Sequence, residues 1–361
     1  MTASNPPPTW RAWIEVDLEA LLTNARAFSR LAGVPLLPVV KADAYGLGAA
    51  EVVRALELVD PWGYGVATLT EAEELRRQGV VRPVLILAPL LPAEVDGCLA
   101  ADARPSIGDL AALDAWLAAT EAPFHIELDT GLARGGFSWY DADLLAAMGA
   151  RLRNAPGWEG AWCQFHSADT DPPSAVTQWA RLRETVAALG PQRPMLHAAN
   201  SAGGLAGQGL GGDLARPGIY LYGGAVGGHR PVPVVSFHAR VVALRRLRAG
   251  DTVSYGASWT ASRATTIATI AVGYADGVPM GLTGRGRVVC QGQPCPIVGR
   301  VAMDLTMVDV GDLPVNPGAI VTLIGGGVSL DAQASAAGTI SYDLLTGIGR
   351  RVIRSYREPT S

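Results

Sequence analysis

A chain of 361 residues with 49% hydrophobic and 17% charged residues can bury a large core, and its length favours one large barrel plus a smaller domain. The net charge of -4 gives no reason to expect nucleic acid or a membrane surface as partner, and no apolar run reaches the length of a membrane span. Cys98, Cys163, Cys290 and Cys295 form neither a zinc pattern nor a disulfide framework, so no metal is expected and a reducing cytoplasm fits best.

Residues 1–10 are Pro/Ser/Asn-rich, read as a flexible tail, and carry no signal-peptide pattern. Residues 12–16 form a short strand, and Asp17 is placed to cap a helix whose apolar positions are Leu18, Leu21, Leu22, Ala25 and Phe28. Eight apolar runs follow, at 36–40, 62–67, 84–88, 105–107, 124–128, 160–165, 195–199 and 214–221. Helical stretches separate most of them, at 49–58, 70–78, 110–119, 142–152 and 175–189. This alternation predicts a parallel (β/α)8 TIM-type barrel. A doubly wound sheet would also alternate, but it would carry a Gly-rich dinucleotide turn after its first strand, where this chain has a lysine. Around 223–233 the chain becomes rich in Gly and Pro, and beyond it β-type runs dominate at 235–247, 265–272, 287–290, 296–301, 305–310 and 320–324. The expected division is therefore a barrel over 1–234 and a mainly β C-terminal domain over 235–361.

The lysine, Lys41, is the only one in the chain; the other 28 of the 29 basic residues are arginines. Arginine serves wherever positive charge suffices, but only an amine can lose its proton and form a Schiff base with a carbonyl. Lys41 closes the first apolar run and so stands at the carboxyl end of barrel strand one, the face where barrel active sites collect. The same face receives Glu127 to Arg134 from strand five, Gln164 to Asp169 from strand six, His197 to Ser201 from strand seven and Arg216 to Tyr220 from strand eight. Loops after strands seven and eight commonly bind phosphate, which gives Ser201, Gly218 and Ile219 a role together that none would have alone. A phosphate site facing a unique lysine implies pyridoxal phosphate. Taken singly, Ser201 reads as a helix cap, Asp129 as a loop cap, and His125, His229 and His238 as ordinary residues.

Ordered motifs run through both halves: Val39-Val40-Lys41-Ala42-Asp43-Ala44-Tyr45-Gly46, Asp129-Thr130-Gly131-Leu132-Ala133-Arg134, His197-Ala198-Ala199-Asn200-Ser201, Arg216-Pro217-Gly218-Ile219, Val253-Ser254-Tyr255-Gly256-Ala257, Gly273-Tyr274-Ala275-Asp276-Gly277, Val298-Gly299-Arg300-Val301-Ala302-Met303-Asp304 and Thr339-Ile340-Ser341-Tyr342. The series resembles that of the alanine racemases. The resemblance implies a pyridoxal-phosphate barrel with a C-terminal β domain, acting as a homodimer whose sites are completed by the partner. It implies that Lys41 carries the cofactor, that Tyr45, Ser201, Gly218, Ile219 and Tyr342 surround its phosphate, and that Arg216 faces its pyridine nitrogen. Arg134 and the Met303 N–H would hold the substrate carboxylate, with Asp304 in a supporting role. Tyr255, from the other subunit, would be the second acid/base. Racemisation needs a proton removed on one face of Cα and returned on the other, which two flanking groups such as Lys41 and Tyr255 supply.

The chain departs from the family at two positions. Glu127 stands where many relatives carry a carbamoylated lysine, and Gln164 where most have a histidine against the cofactor ring. Glu127 is expected to supply the negative charge directly. His166, two residues after Gln164, either replaces the lost imidazole or lies at the mouth of the site. The expected activity is racemisation of alanine, supplying D-alanine for peptidoglycan; the alternatives are a racemase of serine, lysine or a broader range, and a non-catalytic pyridoxal-phosphate carrier.

Overall fold

The computed structural model describes residues 6, 7, 9–207 and 209–359. Residues 1–5 and 8 of the expected flexible tail lie outside the described residues. Of the rest, Pro6, Pro7 and Trp10 are tied down, because the Arg240 guanidinium donates to the carbonyls of all three.

The first helix, Leu18–Ala32, begins where Asp17 accepts the Ala20 N–H and ends at Gly33 in a left-handed conformation, φ 67°. Its buried face includes Leu18, Leu21, Leu22, Ala25 and Phe28, the apolar stripe read from the sequence. Parallel strands at Tyr64–Val66, Val84–Pro89, Ala103–Ile107, Phe124–Asp129, Trp158–Trp162 and Met195–His197 pair successively side by side. Residues 36–40 close the ring: Leu36 bridges Ala215 and Val39 bridges Gly65, both in parallel. Strand eight is shorter than the run 214–221 suggested. The chain is hydrogen-bonded to its neighbours only as far as Pro217 and then turns, since Leu221, Tyr222 and Gly224 donate back to Gly218 and Ile219. The result is the (β/α)8 barrel, with helices Ala49–Leu56, Leu69–Arg77, Leu110–Ala119, Ala142–Leu152 and Pro172–Leu189 among those around it.

The mainly β part is built on the long strand Val235–Leu247, which pairs antiparallel with Thr265–Ile270, Ile320–Ile324 and, less expectedly, Ala12–Asp17. The N-terminal strand thus belongs to this sheet rather than to the barrel, and its other edge pairs in parallel with the last strand, Ile353–Arg357. The expected strand over 296–301 is instead a strand at Gln293–Pro296 and a bridge at Ile297, because Gly299 turns the chain at φ 66°. Among the described residues, no helix is long and apolar enough to cross a membrane.

Lys41 opens a six-residue turn, Lys41–Gly46, in which Ala42, Asp43, Ala44 and Tyr45 all have φ between 52° and 58°. A left-handed L-residue costs about 1–2 kcal/mol, so the turn must be held from outside. The Thr68/Glu71 capping box does part of this: Glu71 Oε1 accepts the Ala42 N–H at 2.8 Å while Oε2 accepts the Ala67 N–H at 2.6 Å. The last strand does the rest. Arg354 donates through Nε and Nη2 to the Gly46 carbonyl at 3.1 and 3.0 Å, and Tyr356 Oη donates to the Leu47 carbonyl at 3.0 Å. Gly48 allows that approach, as a Cβ there would lie 2.0 Å from the Tyr356 hydroxyl.

Arg354 also donates to the carbonyls of Ile348, Gly349 and Val352. Arg354→Ala should therefore cost about 3 kcal/mol, measured as a lower denaturation midpoint, since it leaves several carbonyls without donors. Arg354→Lys should recover little of this, because one ammonium cannot reproduce the planar fork.

Candidate active site

At the carboxyl ends of the barrel strands lies a cavity of about 370 Å³. Its lining brings together Lys41, Tyr45, Glu127, Arg134, Gln164, Ser201, Arg216, Gly218, Ile219 and Tyr342. Ten of the residues singled out in the sequence therefore share one wall system, although they come from five barrel strands and, in Tyr342, from the start of the helix Ser341–Thr346. Burial, followed by the nearby Arg134, lowers the Lys41 pKa and favours the neutral amine.

One end of the cavity is an anion cradle. Asn200, not Ser201, caps the short helix Ser201–Leu205, accepting the Gly203 N–H at 3.0 Å. Ser201 Oγ is left to accept the Gly218 N–H at 2.9 Å, so its hydroxyl hydrogen is available to a ligand oxygen. Tyr45 stacks on Tyr222 with ring centroids 4.5 Å apart, and Tyr342 leans on it at 5.9 Å. A Cβ on Gly218 would lie 2.3 Å from the Tyr45 hydroxyl, so the glycine keeps that corner open. Hydroxyls and close-set backbone around a cleft, with a partly buried lysine nearby, fit a phosphorylated carbonyl cofactor.

Arg216 lies deeper and is almost wholly buried. Its Nη1 donates to His197 Nδ1 at 2.8 Å, and its Nη2 donates to the Cys163 carbonyl at 2.9 Å and to Gln164 Oε1 at 3.3 Å. The guanidinium also sits 4.8 Å from the Trp162 ring centroid. Because an arginine can only donate, His197 must accept on Nδ1 and carry its proton on Nε2. That proton goes to His125 Nδ1 at 2.8 Å, and His125 Nε2 in turn donates to Glu159 at 3.1 Å. Glu159 is fixed by Arg104 at 2.8 Å. Gly160 makes the arrangement possible, since a Cβ there would lie 2.4 Å from His125 Nδ1. His125 is thus not an ordinary residue. Its alternation with Glu127 along strand five and the motif histidine on strand seven were the available signals, but the pairing depends on strands that are remote in sequence.

Other placements separate what the sequence grouped. Asp129 is the loop cap expected: its Oδ1 accepts the N–H groups of Gly131, Leu132 and Ala133, shaping the loop that carries Arg134. His166 is exposed and bonded to Ser167 Oγ at 2.8 Å, outside the cavity lining. Tyr255 and Met303 are 69% and 53% exposed and lie outside this chain's cavity, on adjoining loops linked by the Ser254 hydroxyl donating to the Arg300 carbonyl. Asp304 pairs with Arg351 at 2.8 Å. Glu127 is enclosed, and burial pushes its pKa up to about 7, so its expected negative charge is conditional on pH.

A (β/α)8 barrel bearing one lysine beside an anion cradle, joined to a β domain, defines a class of lysine-anchored cofactor enzymes. The alanine racemase N-terminal domain model matches residues 16–226, and the alanine racemase C-terminal domain model matches residues 234–356. An alanine racemase from Deinococcus radiodurans is 40% identical over 95% of this chain and 98% of its own. Among solved structures, alanine racemase from D-cycloserine-producing Streptomyces lavendulae superposes with a TM-score of 0.92 at 31% identity, covering 99% of both chains. Alanine racemase from Bartonella henselae, with covalently bound pyridoxal phosphate, gives 0.89 at 29% identity, covering 96% of this chain and 99% of the other. The chain belongs to the alanine racemase family.

Burial lowers the pKa of both His125 and His197 from 6.5, so acid protonates them in the unfolded chain before the folded one. By linkage, their contribution to stability is present above the unfolded pKa and lost as pH falls below it. The denaturant midpoint should drop on going from neutral to mildly acidic buffer. His125→Gln, which can still accept from His197 and donate to Glu159, should show a shallower drop.

Proposed function

We propose that the protein is a pyridoxal-phosphate-dependent alanine racemase that works in the cytoplasm and supplies D-alanine for peptidoglycan. The observation that carries this reading is the cavity in which the chain's single lysine faces both the Ser201/Gly218 cradle and the buried Arg216. The four cysteines, all buried and unpaired, fit a reducing compartment.

When bound, pyridoxal phosphate supplies the carbonyl that the lysine amine captures and the conjugated ring that makes the substrate Cα–H acidic. Ser201, Gly218, Ile219, Tyr45 and Tyr342 would hold its phosphate. Arg216, whose guanidinium is fixed by neutral His197, would donate a hydrogen bond to the ring nitrogen without transferring its proton. Such a bond from Arg216 would keep electron withdrawal moderate and would favour return of the proton to Cα. Arg134 would bind the substrate carboxylate, helped by the Met303 N–H.

Lys41, whose amine burial makes easier to deprotonate, serves one face of Cα as acid and base. Tyr255 serves the other. Tyr255 and Met303 project from the same exposed edge of the β domain, which supports a homodimer in which each protomer offers them to its partner's cavity. We place the domain division at 234/235, with the strand Ala12–Asp17 crossing to the second domain's sheet.

Purified protein loaded with cofactor should convert L-alanine to D-alanine faster than serine or lysine. Borohydride followed by peptide mapping should place a pyridoxyl group on Lys41; neither turnover nor adduct would overturn the reading, and an adduct without turnover would leave only a carrier. Tyr255→Phe should keep the cofactor absorbance and lower kcat by about 10²–10⁴-fold. Refolding inactive Lys41→Ala together with Tyr255→Phe should restore activity, because one site of each mixed dimer regains both groups. No recovery would overturn the shared site.

A further inference from the structure

Glu127 is the one cavity carboxyl for which the reaction scheme above provides no partner. It is 3% exposed, and its Oε2 has no hydrogen-bond partner among the described residues. The loop that carries Arg134 comes close because it has glycines there: a Cβ on Gly135 would lie 3.3 Å from Oε2, and one on Gly136 would lie 2.8 Å from the Glu127 backbone oxygen. An orphaned, buried carboxylate oxygen is expensive, whereas the protonated acid is not. Yet the group lines the same cavity as Arg134, whose guanidinium has no carboxylate partner among the described residues.

We propose that Glu127 is a positioning residue that takes up a proton when the substrate carboxylate docks on Arg134. The inference rests on the reading of this cavity as an amino-acid site. Before docking, Arg134 favours ionised Glu127. An arriving carboxylate takes over the Arg134 charge and adds a negative charge close to Glu127, so one proton enters from solvent and the total charge of the pocket is unchanged. By linkage, deprotonating Glu127 must weaken carboxylate binding to the same extent.

The surroundings agree on where this happens. Burial raises the Glu127 pKa to about 7, Arg134 and then Arg216 pull it down, and Asp129 on the same strand pushes it up. From strand six, Trp162 lies opposite in register without charge, and the Cys163 thiol is pushed up to about 11 by burial and stays neutral. Lys41 faces the cavity from strand one, and Gln164 is neutral.

The test is calorimetric titration of the cofactor-loaded enzyme with acetate in two buffers of different ionisation enthalpy. At mildly alkaline pH, binding should draw up to one proton per acetate, and affinity should fall about tenfold per pH unit above the Glu127 pKa. Glu127→Gln, which keeps the shape and removes the charge, should bind acetate without proton uptake and with a flat pH profile. Its KM for alanine should lose the same rise with pH, with kcat changed less. Arg134→Leu should abolish acetate binding, which confines the signal to this cavity. Wild-type enzyme that racemises alanine but binds acetate with no proton uptake overturns the coupling alone, as does equal uptake in Glu127→Gln. Absent turnover together with no Lys41 adduct overturns the parent reading instead.

Discussion

The site depends on the left-handed turn Ala42–Tyr45 that follows Lys41. Four consecutive residues in this region are unfavourable by themselves, so the position of the lysine amine is borrowed from the groups that hold the turn. Glu71 holds it from the neighbouring helix, and Arg354 and Tyr356 hold it from the last strand of the β domain. That strand is paired in turn with Ala12–Asp17. Both chain ends therefore brace the turn, and the two domains act as one support for a single amine.

A second constraint is electrostatic. The cavity gathers Lys41, Arg134 and Arg216 around one carboxyl, and each cation is handled differently. Lys41 is partly buried and gives up its proton more easily. Arg216 is lowered only to about 10 by its burial and remains charged. Its charge is tolerable because neutral acceptors surround it: His197, the Cys163 and Ala198 carbonyls and Gln164. The neutral state of both histidines follows from the direction of the hydrogen bonds, which all run from Arg216 toward Glu159. A protonated imidazole at either position would put two donors face to face. Gln164 fits this logic, since its amide oxygen accepts from Arg216 without any question of charge. Gln164 therefore places no titrating group beside Arg216.

The alternation of apolar runs made the barrel legible, and the lone lysine at a strand end located its active face. Neither depended on detail. What escaped depended on contacts between distant residues or on backbone conformation that side chains hide. Ala42-Asp43-Ala44-Tyr45 contains no residue that demands a positive φ, so the sequence offered no sign of the left-handed turn. The strand 12–17 was recognised, but its partners, Val235–Leu247 and Ile353–Arg357, lie more than half the chain away. His125 looked ordinary because its partner His197 is 72 residues distant, and only parallel pairing through Gly160 brings them together. Glu127 was read as a fixed charge because sequence shows residue type and not enclosure.

The two domains differ in how far they expose their functional groups. The groups whose charge responds to burial, namely the Lys41 amine with its lowered pKa, the pinned Arg216 guanidinium and the conditional Glu127 carboxyl, all come from the barrel. Tyr255 and Met303, which stand on the β domain, are among the most exposed large apolar side chains in the molecule. An exposed phenol and thioether on adjoining loops gain little in solvent, and the Gly299 turn packs closely on Ser254, so those loops lie side by side. Exposed apolar groups set side by side suit contact with another surface. Tyr255 and Met303 are therefore presented to solvent, whereas the buried half of the cavity is assembled within one chain.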